Sequence, residues 1–240
     1  MERLQKVIAN SGYCSRRKAE ELINDRKVKV NGKFAVIGMQ VSDKDEIEVE
    51  GNTIAKEDKV YFLLNKPRGV VTTAKDDKNR TTVVDLINTS KRIYPVGRLD
   101  YDTTGLLILT NDGELANLLT HPKSEIEKVY VAKVKGIVSY ENIKKLSSGV
   151  YIDGIKTAKA KAKIIRFDKD KKTTIVELTI HEGKNHQVKK MFESLGYEVL
   201  KLKRERESFL DLQGLNVGEY RNLTPKEVKK LYGELNSKQN

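Results

Sequence analysis

The amino-acid sequence predicts an α+β protein, with a small helix-plus-hairpin module over residues 1–58 and a mixed, mainly antiparallel-sheet domain over residues 59–240. Three observations predict it. Two short amphipathic helices precede Val28-Lys29-Val30-Asn31-Gly32-Lys33-Phe34, where Asn-Gly between β-formers is the strongest local hairpin signal. Beyond residue 59, strand-like runs and helices mix without the regular alternation that a parallel sheet needs. A polar, charged stretch at residues 52–59 separates the two patterns.

The elements follow in order. Leu4, Val7 and Ile8 fall at helical spacing, and Ser15 is placed to cap a second helix that buries Ala19, Leu22 and Ile23. Glu46-Ile47-Glu48-Val49-Glu50 alternates strictly and reads as a half-buried strand ending at Gly51. Further strands are expected at residues 60–64, 105–110, 129–134, 159–165, 173–180, 199–202 and 219–223. Helices are expected at 114–119, at 139–148 before Gly149, and at 185–195 before Gly196. A last helix has Thr224 as cap, Pro225 in its first turn and Glu227 at the third position, a capping box.

Composition narrows the partners. The 240 residues hold 46 Lys plus Arg against 34 Asp plus Glu, a net charge of +12, which draws a chain toward polyanions such as nucleic acid. One cysteine, Cys14, rules out a disulfide framework, and His121, His181 and His186 lack metal-ligand spacing, so no metal site is expected. No apolar leader or membrane-length run is present, so the expected location is the cytoplasm, away from membranes.

Residues 3–33 carry Arg3, Lys6, Arg16, Arg17, Lys18, Arg26, Lys27, Lys29 and Lys33 against only Glu20, Glu21 and Asp25. Arg16, Arg17 and Lys18 fall in the first turn of a helix, where the dipole is already positive and cations are disfavoured by about 1 kcal/mol in all. An anion at that helix end, such as an RNA phosphate, would relieve the cost; a solvated basic surface is the plainer alternative. The stretches Arg3–Ala9, Ser15–Ile23 and Val28–Gly32 resemble the small RNA-binding domain first known from a small-subunit ribosomal protein. The resemblance implies RNA contacts through Arg3, Lys6, Arg16, Arg17 and Lys18, with Asn31 at a hairpin tip.

The second domain carries the chemistry. Pro95-Val96-Gly97-Arg98-Leu99-Asp100-Tyr101-Asp102-Thr103-Thr104-Gly105 is a polar loop leading into an apolar strand, the kind of rigidly held loop that carries function. Taken alone, Asp100 reads equally as a turn-capping aspartate, and the Asp100/Asp102 pair also invites a glycosidase reading. A chain of +12 charge without tryptophan is poorly suited to polysaccharide.

The loop, with Thr110-Asn111-Asp112-Gly113-Glu114-Leu115-Ala116 and His121-Pro122 after it, resembles the signature of bacterial rRNA pseudouridine synthases of the RsuA/RluB type. Asn65-Lys66-Pro67-Arg68-Gly69, Glu127-Lys128-Val129-Tyr130 and Glu182-Gly183-Lys184-Asn185-His186-Gln187-Val188-Lys189-Lys190-Met191-Phe192 match in the same order. The resemblance covers nearly the whole chain. It implies that Asp100 is the catalytic aspartate, Tyr130 the aromatic residue under the target base, and Lys189 the basic partner of Asp100. Arg98 would help displace the target nucleotide, and Lys184, Asn185 and Gln187 would contact RNA.

Family members often have arginine at the position of Lys189, so this chain loses bidentate pairing there. Without the motif, Lys189 reads as an exposed helix lysine, Tyr130 as a core aromatic, and His121 as a residue that closes a helix. The implied reaction breaks and remakes a bond to uracil with no redox change and no group transfer, so no cofactor is expected. The substrate would be ribosomal RNA, tilted toward the large subunit, acted on by a monomer. The competing reading is a non-enzymatic RNA-binding assembly factor on the same fold. Residues 201–206 read as a basic strand and a second RNA contact.

Overall fold

The computed structural model describes residues 1–237. Two compact units divide it, Met1–Val60 with residues 89–93 and 111–113, and the remainder from Tyr61.

The first unit comprises β1 (Glu2–Arg3), α1 (Leu4–Asn10), α2 (Arg16–Asn24), β2 (Val28–Val30), β3 (Lys33–Phe34), β4 (Gln40–Val41), β5 (Ile47–Val49) and β6 (Asn52–Thr53). Ser15 caps α2 as expected, its hydroxyl accepting from the Lys18 N–H at 3.2 Å. The apolar stripes of both helices meet the inward side of the β3-β2-β5-β6 sheet in a core built on Leu4, Ile8, Leu22, Ile23, Val28 and Val49. Asn31 and Gly32 both take positive φ, 50° and 77°, which makes the two-residue turn that matches strand twist. Glu50 and Gly51 repeat that geometry and join β5 to β6. Residues 52–53, expected in the polar link, are therefore a strand, because the Glu50-Gly51 turn folds them back on β5.

The second unit comprises β7 (Tyr61–Lys66), β8 (Tyr94–Pro95), β9 (Thr104–Thr110), α3 (Gly113–Thr120), β10 (Lys128–Lys135), α4 (Tyr140–Ser148), β11 (Tyr151–Ile152), β12 (Ile155–Lys156), β13 (Lys161–Asp168), β14 (Thr173–Ile180), α5 (Gln187–Glu193), β15 (Val199–Glu207), β16 (Leu210–Asp211), β17 (Tyr220–Asn222) and α6 (Pro225–Ser237). Its nine-stranded sheet runs β13-β14-β10-β15-β9-β7-β17, with β8 on β9 and β16 on β15. Only β15 and β9 pair in parallel among these strands, so the sheet is mainly antiparallel, as the sequence predicts. The expected capping box is present: the Thr224 N–H donates to Glu227 at 2.7 Å and the Glu227 N–H donates to the Thr224 hydroxyl at 3.2 Å. Leu231 and Leu235 of α6 then join Leu63, Leu106, Ile108, Leu115 and Leu119 in one core. No helix among the described residues is long and apolar enough to cross a membrane.

Strand lengths differ from expectation where charged residues are buried. Strand β7 continues to Lys66, and β15 continues from Leu202 to Glu207. Lys66, Arg204 and Glu207 are all buried, so the apolar pattern stops while the strand does not. The β11–β12 hairpin, turned by Asp153 and Gly154 at φ 50° and 78°, lies outside the expected elements although Asp-Gly is itself a hairpin signal.

Strand β9 meets β15 at Gly105, where the β15 backbone leaves no room for a side chain. Gly105 sits at φ 112°, and a Cβ there would lie 2.2 Å from the Arg204 carbonyl oxygen. Gly105→Ala is expected to cost about 3 kcal/mol of unfolding free energy, through overpacking and a strained φ together. Urea unfolding checks this, and an unchanged midpoint would mean that the two strands can part freely.

Candidate active site

The Asp100 loop is clamped from behind. The ammonium of Lys66, fully buried at the end of β7, donates to the carbonyl oxygens of Pro67, Asp100 and Thr103 at 3.1, 3.0 and 3.0 Å. The Thr72 hydroxyl donates to the Leu99 carbonyl at 2.6 Å and accepts from the Leu99 N–H at 3.3 Å. The Gly69 N–H donates to the Tyr101 carbonyl at 2.9 Å. These bonds fix the backbone on both sides of Asp100 and leave its carboxylate partly exposed, at 27%.

A second loop brings His186 and Lys189. Gln187, the first residue of α5, is buried; its amide donates to Glu182 at 2.5 Å and its carbonyl accepts from the Lys184 N–H at 2.9 Å. Glu182 also accepts from the Ala158 N–H at 3.0 Å, which ties the loop to the segment before β13. Just ahead of α5, His186 takes the left-handed conformation at φ 52°. Its Nδ1 lies 3.0 Å from Asp100 Oδ2. Lys189, three residues further on, places Nζ 3.1 Å from the same oxygen and 2.6 Å from Asp102 Oδ1. Burial alone would lower the Lys189 pKa, but its bonds to Asp102 and Asp100 outweigh that and raise it. The bond from Lys189 in turn holds the Asp102 carboxyl below its ordinary value.

Tyr130, on β10, forms part of the wall. It is 9% exposed, and burial raises its phenol pKa although the neighbouring Arg204 guanidinium pulls the other way. The hydroxyl is therefore neutral at physiological pH. Arg204 is itself held by the Leu106 carbonyl, to which Nε donates at 2.7 Å, and by Glu207 at 3.3 Å. Asp100, Tyr130, Arg98, Lys184, Asn185 and His186 line one cleft of about 1010 Å³. That volume takes a nucleotide.

Residues 60–194 match the family model described as RNA pseudouridylate synthase, and residues 2–47 match the S4 domain. The chain belongs to the RNA pseudouridylate synthase family. It is 60% identical over 233 residues to ribosomal large subunit pseudouridine synthase B of Bacillus subtilis, covering 96% of both chains. It is 41% identical to the dual-specificity RNA pseudouridine synthase RluF of Escherichia coli, over 96% of this chain and 78% of that one. A crystal structure of a pseudouridylate synthase superposes with a TM-score of 0.69 at 35% identity, covering 96% of this chain and all of the other.

The synthase thus brings Asp100 and Lys189 together and sets Tyr130 in the same cleft. Arg98, Lys184 and Asn185 are exposed at its rim. In the first unit Arg3, Arg16 and Arg17 are exposed, while Lys6 and Lys18 pair with Glu2 and Glu21 at 2.5 and 2.9 Å.

Three of the expected RNA-contact residues are bonded within the protein. The Gln187 side chain is buried and internally bonded, so it shapes the loop at the cleft wall. The Asn31 amide donates to Asp45 at 2.8 Å and its carbonyl accepts from the Glu46 N–H at 3.0 Å, so the side chain braces the hairpin. Arg204 faces inward at 2% exposure and is no surface contact. His121 caps the 3₁₀ turn Pro122–Ser124 by accepting from the Lys123 N–H, a structural role as read.

Sequence reasoning missed Lys66, Thr72, His186 and Arg204. Lys66 and His186 stand inside the family motifs, but nothing local marks a lysine as buried or a histidine as reaching residue 100.

Burial pushes the Lys66 ammonium down to about 8, against the pull of Asp100 and Asp102. An unfolded lysine titrates near 10.4, so between about pH 8 and 10 the unfolded chain binds the extra proton. The Lys66 contribution to stability therefore rises with pH across that window and is level below it. Unfolding free energies of wild type and Lys66→Met, measured from pH 7 to 10, should diverge in favour of wild type as pH rises. A constant difference would show that the ammonium is not held at a cost.

Proposed function

We propose that this synthase isomerises specific uridines to pseudouridine in ribosomal RNA, and in large-subunit RNA in particular, with Asp100 as the essential carboxylate. One observation carries the reading: the Asp100 carboxylate is gripped by Lys189 and His186 at the mouth of a nucleotide-sized cleft walled by Tyr130. The name of the Bacillus subtilis relative, similar over almost its full length, supports the large subunit.

The reaction breaks the bond from C1′ to N1 of uracil, turns the base, and joins C1′ to C5. N1 gains a proton and C5 loses one, so the process is neutral overall. An ionised carboxylate serves it as nucleophile or as base toward the sugar. Lys189 and His186 both approach Oδ2, which leaves Oδ1 to face the nucleotide. A base within a stack cannot enter the cleft, so the target uridine is extruded and lies against the Tyr130 ring. Arg98, exposed at the rim, fills the gap left in the RNA.

Residues 1–58 serve as the RNA-binding domain through Arg3, Lys6, Arg16, Arg17 and Lys18, and residues 59–240 as the catalytic domain. The enzyme acts as a cytoplasmic monomer on free or pre-ribosomal RNA.

Tritium release from 5-tritiated uridine in an rRNA transcript measures turnover. Asp100→Asn keeps the shape and removes the charge, so the rate should fall by roughly 10²-fold or more with RNA affinity nearly unchanged. A residual rate within about tenfold of wild type would remove Asp100 from the chemistry. Lys189→Met should lower the single-turnover rate at saturating RNA while leaving the dissociation constant in place. An unaltered rate would mean that the ion pair is only structural.

A further inference from the structure

The sheet of the second unit has two unlike faces. From Tyr130 onward β10 alternates, as β14 and β15 do around their cleft-side residues: Tyr130, Ala132, Leu178 and Leu202 are buried, while Val131, Lys133, Glu177, Thr179, Lys201 and Lys203 are exposed or half-buried. The outward residues of these strands and of edge strand β13 are rich in lysine.

Strand register sorts them into rows. In one row Lys163 pairs with Glu177 at 2.9 Å, and nearby Lys161 and Lys203 pair with Glu127 and Glu205 at 2.6 and 2.9 Å. The adjacent row has no such partner. It reads Lys201, Lys133, Ile175, Arg166 across β15, β10, β14 and β13. Lys133 and Lys201 are directly opposite each other on antiparallel strands, an arrangement of like charges that destabilises a sheet. No carboxylate among the described residues forms an ion pair with Lys133, Lys201 or Arg166. Four strands about 4.8 Å apart make this row roughly 14 Å long.

We propose that this open sheet face, on the side away from the cleft, is a second docking surface for the phosphate backbone of the substrate RNA. The inference rests on the reading that the substrate is a large RNA; a short hairpin filling the cleft would not reach round to this side. The polyanion supplies the counter-charge that the Lys133–Lys201 pair lacks. The contact is to phosphates, so it is independent of sequence and sensitive to salt.

The test uses the full chain and a full-length large-subunit rRNA transcript. The triple variant Lys133→Gln, Lys201→Gln, Arg166→Gln changes only outward side chains. Binding is titrated at several salt concentrations for wild type, the triple variant, and the charge-preserving Lys133→Arg, Lys201→Arg variant. The triple variant removes three cations that each neutralise a phosphate, so the slope of log affinity against log salt should fall by about 2. The arginine variant should keep the wild-type slope. Single-turnover rates at saturating RNA should match, since no altered residue lines the cleft. Equal slopes for the triple variant and wild type overturn the proposal, as does an equal loss of affinity for a short stem-loop. Equal slopes on RNA with lost retention on ribosomal particles would overturn it in favour of an acidic protein partner. A wild-type enzyme that forms no pseudouridine in this transcript would sink the functional reading instead, while the slopes still decide the face.

Discussion

A charged lysine with no solvent exposure sits directly behind the aspartate loop, and most of the site follows from how its charge is satisfied. Burying an ammonium is costly unless every donor finds an acceptor. Lys66 has three N–H groups, and the carbonyl oxygens of Pro67, Asp100 and Thr103 take them. The backbone on each side of Asp100 is thereby pinned to one point in the sheet. Beside that point Gly105 passes the backbone of Arg204 too closely for any side chain, where β15 runs parallel to β9. Arg204, also buried, finds the Leu106 carbonyl on the same strand. Two buried cations, each held by backbone oxygens of one loop-and-strand segment, make a rigid frame for one carboxylate.

The front of that frame is arranged by opposite charge. Asp100 and Asp102 share Lys189, and His186 approaches the same oxygen of Asp100 that Lys189 holds. A carboxylate held in this way is oriented before substrate arrives, which lowers the reorganisation that a reaction demands. The left-handed backbone of His186 is an uncommon conformation for a residue with a side chain. It persists because buried Gln187 ties both ends of the loop. The loop is shaped by a residue that resembles an RNA contact in sequence and faces the interior in space.

Local signals in the sequence were reliable wherever their physics was local. The Ser15 cap, the Asn31-Gly32 turn and the Thr224–Glu227 box need only the residues that form them, and each is present as read. Strands with alternating apolar residues were also legible, because burial on one face and water on the other write a period of two. The reading of β7 ended early at Asn65-Lys66, and the basic strand read at residues 201–206 hid that Arg204, like Glu207 after it, turns inward. The family motifs brought forward Asp100, Tyr130 and Lys189 together, although composition and spacing alone left each one open.

The sequence by itself determined the α+β class, the module at the amino terminus, the basic character and the aspartate loop. Those features depend on residue type and on neighbours within a few positions. Tertiary structure decided which polar residues are inside: Lys66, Arg204 and Gln187 in, Lys133 and Lys201 out. It also decided that His186 reaches Asp100, and that Lys133 faces Lys201 across a strand pair. Such facts come from strand register and loop closure between residues tens of positions apart. A buried cation is stable only when distant carbonyls converge on it, and no window of sequence contains that convergence.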